Sequence, residues 1–388
     1  MSHHGFLFMR SRFYNINYID LKDTEMTYNP YFVVAIRCMT YNHAPYIEDA
    51  MNGFCMQRTT FPYVAIIIDD ASTDGESEVI QKYLDEHFIL NEKSVARQWE
   101  TSEARFIYAR HKENPNCYFA VILLKYNYYS IRKPKEPLME EWNDTEYVAV
   151  CEGDDYWIYT AKLQEQISYL NANPDYGMVF TDYDVFNTIT NKTSHAEINS
   201  GIKPLITNFE QHLRLKGYMA PMSWVYRRKF YEIRNNFKGD AKIEGSFIFA
   251  LEMFLNSKIY YMNKVTCVYR VLEKSASHHT NLSDRYRYHK DVHKIQEYYV
   301  NNYDVSEETH LSLSWFYEIY ATYIILNGEE DEMEKARDYL KEHFVEYTSL
   351  KQKFFIFCLL FPFTTWLYKN LYNIKLLIQN SMYNVDKN

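Results

Sequence analysis

The stretch EYVAVCEGDDYW, Glu146–Trp157, decides how this chain reads. Its first half, EYVAV, is a short apolar run that argues for a buried strand. Three carboxylates, Glu152, Asp154 and Asp155, follow within four residues. Working outward, the same sign recurs upstream. YFVVAIR (Tyr31–Arg37) is an apolar, β-branched run that leads into TYNHAPYIEDAM, and VAIII (Val64–Ile68) ends in Asp69 and Asp70. Between the two runs, Asn42 is suited to cap a helix and Pro45 to its first turn. Tyr46, Ile47, Ala50, Met51 and Phe54 fall at helical spacing on one face. After Asp70, Ser72 or Thr73 is expected to open a second helix through Val79, Ile80 and Tyr83. Strand, helix, strand, helix with nearly continuous apolar strands is the pattern of a parallel sheet covered on both faces.

Further strands are expected over Phe106–Arg110, Gly177–Tyr183, Ser223–Tyr226, Lys258–Tyr261 and Thr266–Val271. Lys162–Leu170 reads as a helix with Leu163, Ile167 and Leu170 inward. From about Tyr286 the strands stop and helical patterns take over, as in Leu311–Leu326 and Met333–Tyr347. The expected organisation is an N-terminal extension (1–29), an α/β domain (30–285) and a helical region (286–388).

Composition narrows the function. The chain has 388 residues, 47% of them apolar, enough for a sizeable core. A net charge of -9 leaves no basic excess to displace counterions, so nucleic acid is not an expected partner. The six cysteines lack a CxxC pair and read as reduced thiols in a reducing compartment. The 38 tyrosines suit a binder of ring-shaped ligands and equally suit an AT-rich coding sequence. The start, MSHHGFLFMRSRFYN, has no apolar core of the kind a secretory signal carries. FFIFCLLFPFTTWLY (Phe354–Tyr368) is shorter than the ~20 residues that span a bilayer. With Lys351, Lys353 and Lys369 beside it, it suits either a membrane interface or a packed helical hairpin.

In open α/β sheets, ligands sit at the carboxyl ends of the strands. Both acidic clusters occupy such ends. Like charges held together cost free energy unless neutralised, and a hard divalent cation, Mg²⁺ or Mn²⁺, commonly joins one or two carboxylates to substrate phosphates. A solvated acidic turn capping the helix near Thr160 is the plainer alternative for one cluster. Two clusters on one edge favour the cation.

TYNHAPYIEDAM, IIIDDASTDG and EGDDYW followed by KLQEQISYL together resemble the inverting glycosyltransferases of the large GT-A family 2, over roughly residues 30–275. The resemblance implies a GT-A, Rossmann-like mixed and mostly parallel sheet flanked by helices. It also implies a UDP-sugar donor and a divalent metal, Mn²⁺ or Mg²⁺. Thr40 and Tyr41 would line the nucleotide pocket, with Tyr41 beside the base. Asp70 would accept from the uracil imide, Asp154 would bond the ribose, and Asp155 would coordinate the metal. Glu152 stands where many relatives carry an Asp and would support the site or touch the sugar. Asp69 is open between a ligand role and a structural one, and Asp74 reads as a cap.

Inverting transfer needs a carboxylate that takes the acceptor hydroxyl proton. The matching stretch is EGSFIFALEMFLNSKIYYM, where Ser246 occupies the position of the expected Asp. Glu244 is the leading base and Asp240 the second. In APMSWVYRR, Trp224 is a platform for a sugar ring or a core residue. In VYRVLEKSASHH, where relatives often have His at the position of Leu272, Arg270, Ser277, His278 or His279 would contact phosphate or metal. The implied activity moves a sugar from a UDP-sugar to a glycan or lipid-linked acceptor in surface polysaccharide synthesis, in the cytoplasm or at the inner face of the plasma membrane. The rival readings are a degenerate family member that binds donor without efficient turnover, and a nucleotidyltransferase. The latter lacks the Gly-rich phosphate loop it would need after the first strand.

Overall fold

A computed structural model describes residues 30–215, 219–241, 245–273, 282–313 and 315–327, with scattered positions between 334 and 371. In chain order the elements are β1 (Val34–Thr40), α1 (Ile47–Cys55), β2 (Tyr63–Asp69), α2 (Glu76–His87), β3 (Phe88–Ile89), β4 (Ala96–Glu100), β5 (Ala104–His111) and β6 (Cys117–Leu124). β7 (Tyr147–Val150), β8 (Tyr156–Trp157), α3 (Lys162–Ala172), β9 (Tyr176–Asn187), β10 (Lys192–Ser194), α4 (Phe209–Arg214) and β11 (Val225–Arg227) come next. α5 (Gly245–Asn256), β12 (Lys258–Val271), α6 (Leu282–Asn302), α7 (Glu307–Ser312) and α8 (Trp315–Asn327) complete the described elements.

One mixed sheet runs β3-β5-β6-β2-β1-β7-β11-β9-β12-β8, with β4 beside β5 and β10 beside β9. Its centre, β6-β2-β1-β7, is parallel, as is the β9–β12 pair. Antiparallel β5 and β11 flank the central block. The strand period of two divides the core. Val34, Ile36 and Cys38 join Ala65, Ile67, Phe119 and Val121 under α1, α2 and α3. Ala35, Val64, Ile66, Ile68, Ala120 and Ile122 face the other way, onto Tyr128, Met139 and Trp142. Burying each large aliphatic contributes about 1.5–3 kcal/mol, which is why the central strands carry almost no polar residues. A further core joins α4, α5 and α6 through Leu213, Phe247, Leu251, Ile295 and Tyr299.

Several local expectations are corrected. Asn42 does not cap α1. It is left-handed (φ 57°), and its Oδ1 accepts from Thr73 N at 2.8 Å, while α1 begins at Ile47 after a turn closed on His43 O. Likewise α2 begins at Glu76, behind Gly75 at φ 91°, rather than at Ser72 or Thr73. Lys258–Tyr261 and Thr266–Val271 are parts of one bulged strand. The Leu311–Leu326 pattern is broken into α7 and α8, and most of Met333–Tyr347 lies outside the described residues. No helix among the described residues is long and apolar enough to cross a membrane.

α1 packs on the β8 segment through Gly53, where an added Cβ would meet Trp157 N at 2.8 Å and Trp157 O at 3.0 Å. Gly53→Ala gains up to about 1 kcal/mol of helix propensity, but overpacking against backbone costs about 1–3 kcal/mol. The variant should therefore unfold at lower urea concentration than the parent. An equal or higher midpoint would show that the contact is loose.

Candidate active site

The parallel register aligns the carboxyl ends of three strands. Thr40 lies opposite Asp69, and Arg37 opposite Val150. The chain after β7 then folds back onto the tip of β1. Glu152 Oε2 accepts from Met39 N at 3.1 Å, and Gly153 N donates to Met39 O at 3.1 Å. A Cβ on Gly153 would sit 2.1 Å from Thr40 Oγ1, so glycine is what lets the acidic loop close on β1.

Strand β12 clasps this loop from the other side. Arg270 N donates to Asp155 Oδ1 at 2.8 Å, and Arg270 Nη1 donates to Asp154 O at 2.7 Å. The same guanidinium pairs with Asp49 of α1 and lies 4.4 Å over the Tyr156 ring. Arg270 thus works within the fold as the clasp of the acidic loop. Burial, reinforced by the neighbouring Asp154 charge, pushes the Glu152 carboxyl up to about 8. Burial and then Asp154 also raise buried Asp155 well above the usual carboxylate range. Two buried carboxyls, Glu152 and Asp155, thus lie beside the partly exposed Asp154 in a space that disfavours their charged forms.

Three residues of this edge carry no role in the sequence reading. Buried Glu76, in the first turn of α2, accepts from Thr40 Oγ1, from His43 N at 2.9 Å and from Ser72 Oγ at 2.8 Å. It stitches the loop after β1 to the loop after β2, and burial raises its carboxyl. His43 Nδ1 lies 3.1 Å from Thr40 Oγ1, and its Nε2 lies 3.8 Å from Asp154 Oδ2. Lys135 Nζ pairs with Asp70 at 2.9 Å, and its charge counters the rise at Glu152. A first-turn Glu and a lysine in a basic loop are ordinary in sequence. Only the fold brings them here.

The expected site residues fall into two groups. Thr40, Tyr41, Asp70, Glu152, Asp154 and Asp155 stand along one edge. Tyr41 is exposed rather than core. Asp70 is already engaged: its oxygens accept from Tyr128 N at 2.6 Å and Tyr129 N at 3.1 Å besides Lys135. Asp69 is a turn residue that accepts from Ser72 N and Ser77 Oγ, and Asp74 accepts from Glu76 N and Ala44 N. Asp240 is exposed, and its carboxylate pairs with Lys294 of α6 at 3.2 Å. Glu244, Ser277, His278 and His279 lie outside the described residues. Trp224 is buried and stacked on Phe249 at 5.8 Å, which makes it core and not a platform for sugar. Leu272 is also buried.

Among the described residues, no three His, Cys, Asp or Glu side chains form a ready-made metal cage. The carboxylates present fit a divalent cation of another kind. Asp155 keeps Oδ2 free of hydrogen bonds among the described residues, and Asp154 stands beside it partly exposed. Mg²⁺ and Mn²⁺ are commonly held by one or two carboxylates, with phosphate oxygens and waters completing the shell.

No family model matches the sequence. Uncharacterized proteins of Mycobacterium bovis and Mycobacterium tuberculosis are 33% identical over 196 residues, which is 50% of this chain and 47% of theirs. The chain spans about half the length of the curated relatives it matches. Among solved structures, residues 1–349 of Staphylococcus aureus TarS are similar with a TM-score of 0.49 and 15% identity, covering 81% of this chain and 80% of that one. The same TarS segment in complex with UDP gives 0.46 and 16% over the same shares. The mannosyltransferase PcManGT from Pyrobaculum calidifontis, in complex with GDP-Man and Mn²⁺, gives 0.45 and 14%, covering 91% of this chain and 88% of that one.

The raised Glu152 carboxyl fixes a pH dependence. Between its ordinary value and about 8, the folded chain holds a proton that the unfolded chain has released, so stability falls as pH rises through that window. Glu152→Gln removes the titrating group. In metal-free buffer, parent stability should decline more steeply than that of the variant from pH 5 to 8. Parallel declines in urea midpoints would contradict the assignment.

Proposed function

We propose that this chain is a metal-dependent inverting glycosyltransferase of the GT-A family 2 type. It takes a sugar from a UDP-sugar and passes it to a glycan or lipid-linked acceptor in surface polysaccharide synthesis. The observation that carries the reading is the carboxylate set Glu152, Asp154 and Asp155, folded onto the tip of β1 beside exposed Tyr41. Tyr41 takes the face of the base. Asp154 accepts from the ribose, and Asp155 holds the cation. Bound there, Mn²⁺ or Mg²⁺ supplies positive charge for the diphosphate leaving group. Lys135 adds a cationic donor on the same edge, where the His43 ring stands beside Asp154.

The acceptor proton goes to a carboxylate before α5, Glu244 in the first place and Asp240 in the second. Ser246, exposed at the start of α5, stands where the resemblance calls for Asp. That residue is the observation favouring a second reading, a donor-binding member without efficient turnover. The α/β domain is assigned to 30–285 and the helical region to 286–388. Phe354, Phe357, Phe361, Phe363 and Trp366 are exposed, which supports a peripheral contact of 354–368 with the inner face of the plasma membrane.

Thermal shift against UDP-, GDP- and dTDP-sugars, with and without Mn²⁺, tests the donor. A ligand at about 100 times its Kd stabilises by about 2.7 kcal/mol. The UDP-sugar with Mn²⁺ should give the largest shift, and Asp155→Asn should abolish the metal-dependent part. Equal shifts with and without metal would remove Asp155 from the site. Glu244→Gln should lower transfer about 10²–10⁴-fold with UDP binding retained. If instead Asp240→Asn alone does so, the base is Asp240. Unchanged turnover in both removes both, and absence of turnover in the parent with donor bound supports the second reading.

A further inference from the structure

The His43 ring bridges the tip of β1 and the acidic loop after β7. Nδ1 lies 3.1 Å from Thr40 Oγ1, and Nε2 lies 3.8 Å from Asp154 Oδ2. Which nitrogen carries the proton follows from the buried side of the ring. Thr40 Oγ1 donates its single proton to Glu76 Oε1, so toward His43 it can only accept. The other Glu76 oxygen accepts from His43 N at 2.9 Å and from Ser72 Oγ at 2.8 Å. Ser72 Oγ itself accepts from Asn42 N at 2.8 Å, which leaves its own proton for Glu76. Burial raises the Glu76 carboxyl, and these three hydrogen bonds oppose the rise, as bonds to an ionised acceptor do. Nδ1 is therefore the donor nitrogen, and the neutral ring turns a bare lone pair on Nε2 toward Asp154.

The separation of 3.8 Å between Nε2 and Asp154 Oδ2 is too long for a hydrogen bond. Among the described residues, no hydrogen-bond donor reaches either carboxylate oxygen of Asp154 or His43 Nε2, whereas the Asp154 backbone carbonyl is taken by Arg270. Both side chains are partly exposed, at 20% and 19%. Two acceptors thus stand side by side without a bond between them. A phosphate oxygen, which only accepts, is disfavoured beside them. A group with two adjacent hydroxyl donors fits.

We propose that His43 Nε2 and Asp154 Oδ2 together receive the cis-diol of the donor's ribose, one hydroxyl to each, with Thr40 and Glu76 as positioning residues that fix the tautomer of the ring. The inference rests on the nucleotide-sugar reading and adds a specificity-determining residue to it. Tyr41 is two residues before His43, so base and ribose are received by one turn of chain. Buried Thr40 reaches the ligand through this ring and not by its own hydroxyl. The consequence is selection of ribonucleotides over deoxyribonucleotides.

Titration calorimetry of the full-length chain with UDP, 2′-deoxy-UDP and 3′-deoxy-UDP tests this, with Mn²⁺ at about pH 8, where an imidazole is neutral. Loss of either hydroxyl should weaken binding to the parent about three- to tenfold. His43→Ala should weaken UDP by a similar factor and become indifferent to one of the two hydroxyls, while the other, received by Asp154, still counts. His43→Gln, which carries an amide oxygen toward the place of Nε2, should restore part of the discrimination. Thr40→Val, which cannot anchor Nδ1, should lose part of it with His43 in place. A ring that only supports the fold would weaken all three nucleotides alike in His43→Ala, and that result overturns the proposal. So does a loss in His43→Ala that disappears when Mn²⁺ is withheld, since the ring would then be a metal ligand. Equal affinity of the parent for UDP and both deoxy forms overturns it without any variant. A parent that binds no UDP removes the nucleotide reading and this inference with it, whereas UDP binding without hydroxyl discrimination removes the inference alone.

Discussion

The contact on which the acidic edge depends is the approach of Gly153 to Thr40. The chain leaving β7 pairs with Met39 through both a backbone and a carboxylate bond, and this is possible only where no side chain intervenes. A Cβ at Gly153 would have to displace Thr40 Oγ1, the hydroxyl that also bonds Glu76 and faces His43. One close approach therefore sets the positions of the three carboxylates, the loop after β1 and the first turn of α2.

That geometry carries an electrostatic cost. Glu152 and Asp155 are both raised by burial and by Asp154, so the folded chain holds acids where their charged forms are disfavoured. Arg270 offsets part of this from β12, but its guanidinium is also engaged with Asp49. Lys135 and His43 approach from two other loops. The arrangement is one that a cation and an anionic phosphate ligand would relieve together. Asp69, a turn residue, and Asp70, bonded to the Tyr128–Tyr129 backbone, stand side by side with different partners.

Much of the central sheet was legible because buried parallel strands are short apolar runs. β1, β2, β5 and β7 lie within a few residues of their expected spans. β6 has no counterpart among those expectations, although CYFAVILL is as apolar as β2 and pairs with it along its whole length. The starts of α1 and α2 were misread because Asn42 and Ser72 resemble caps. In the fold their side chains bond across loops, Asn42 to Thr73 N and Ser72 to Asn42 N and Glu76, and neither loop's conformation is encoded locally. Sequence also marked the acids after β7, since charge at the end of an apolar run stands out. It did not mark Glu76, His43 or Lys135, whose roles come from tertiary approach, nor separate Trp224 as core from Trp224 as platform.

The proposed ligand of this edge is a nucleoside diphosphate held through a divalent cation. The most direct measurement is a crystal soaked with manganese and UDP, with the metal located by anomalous scattering. A manganese peak should stand beside Asp155 Oδ2, with the diphosphate next to it and the base against Tyr41. A structure with UDP bound elsewhere, or with manganese absent from Asp155 while UDP occupies the crevice, would contradict it.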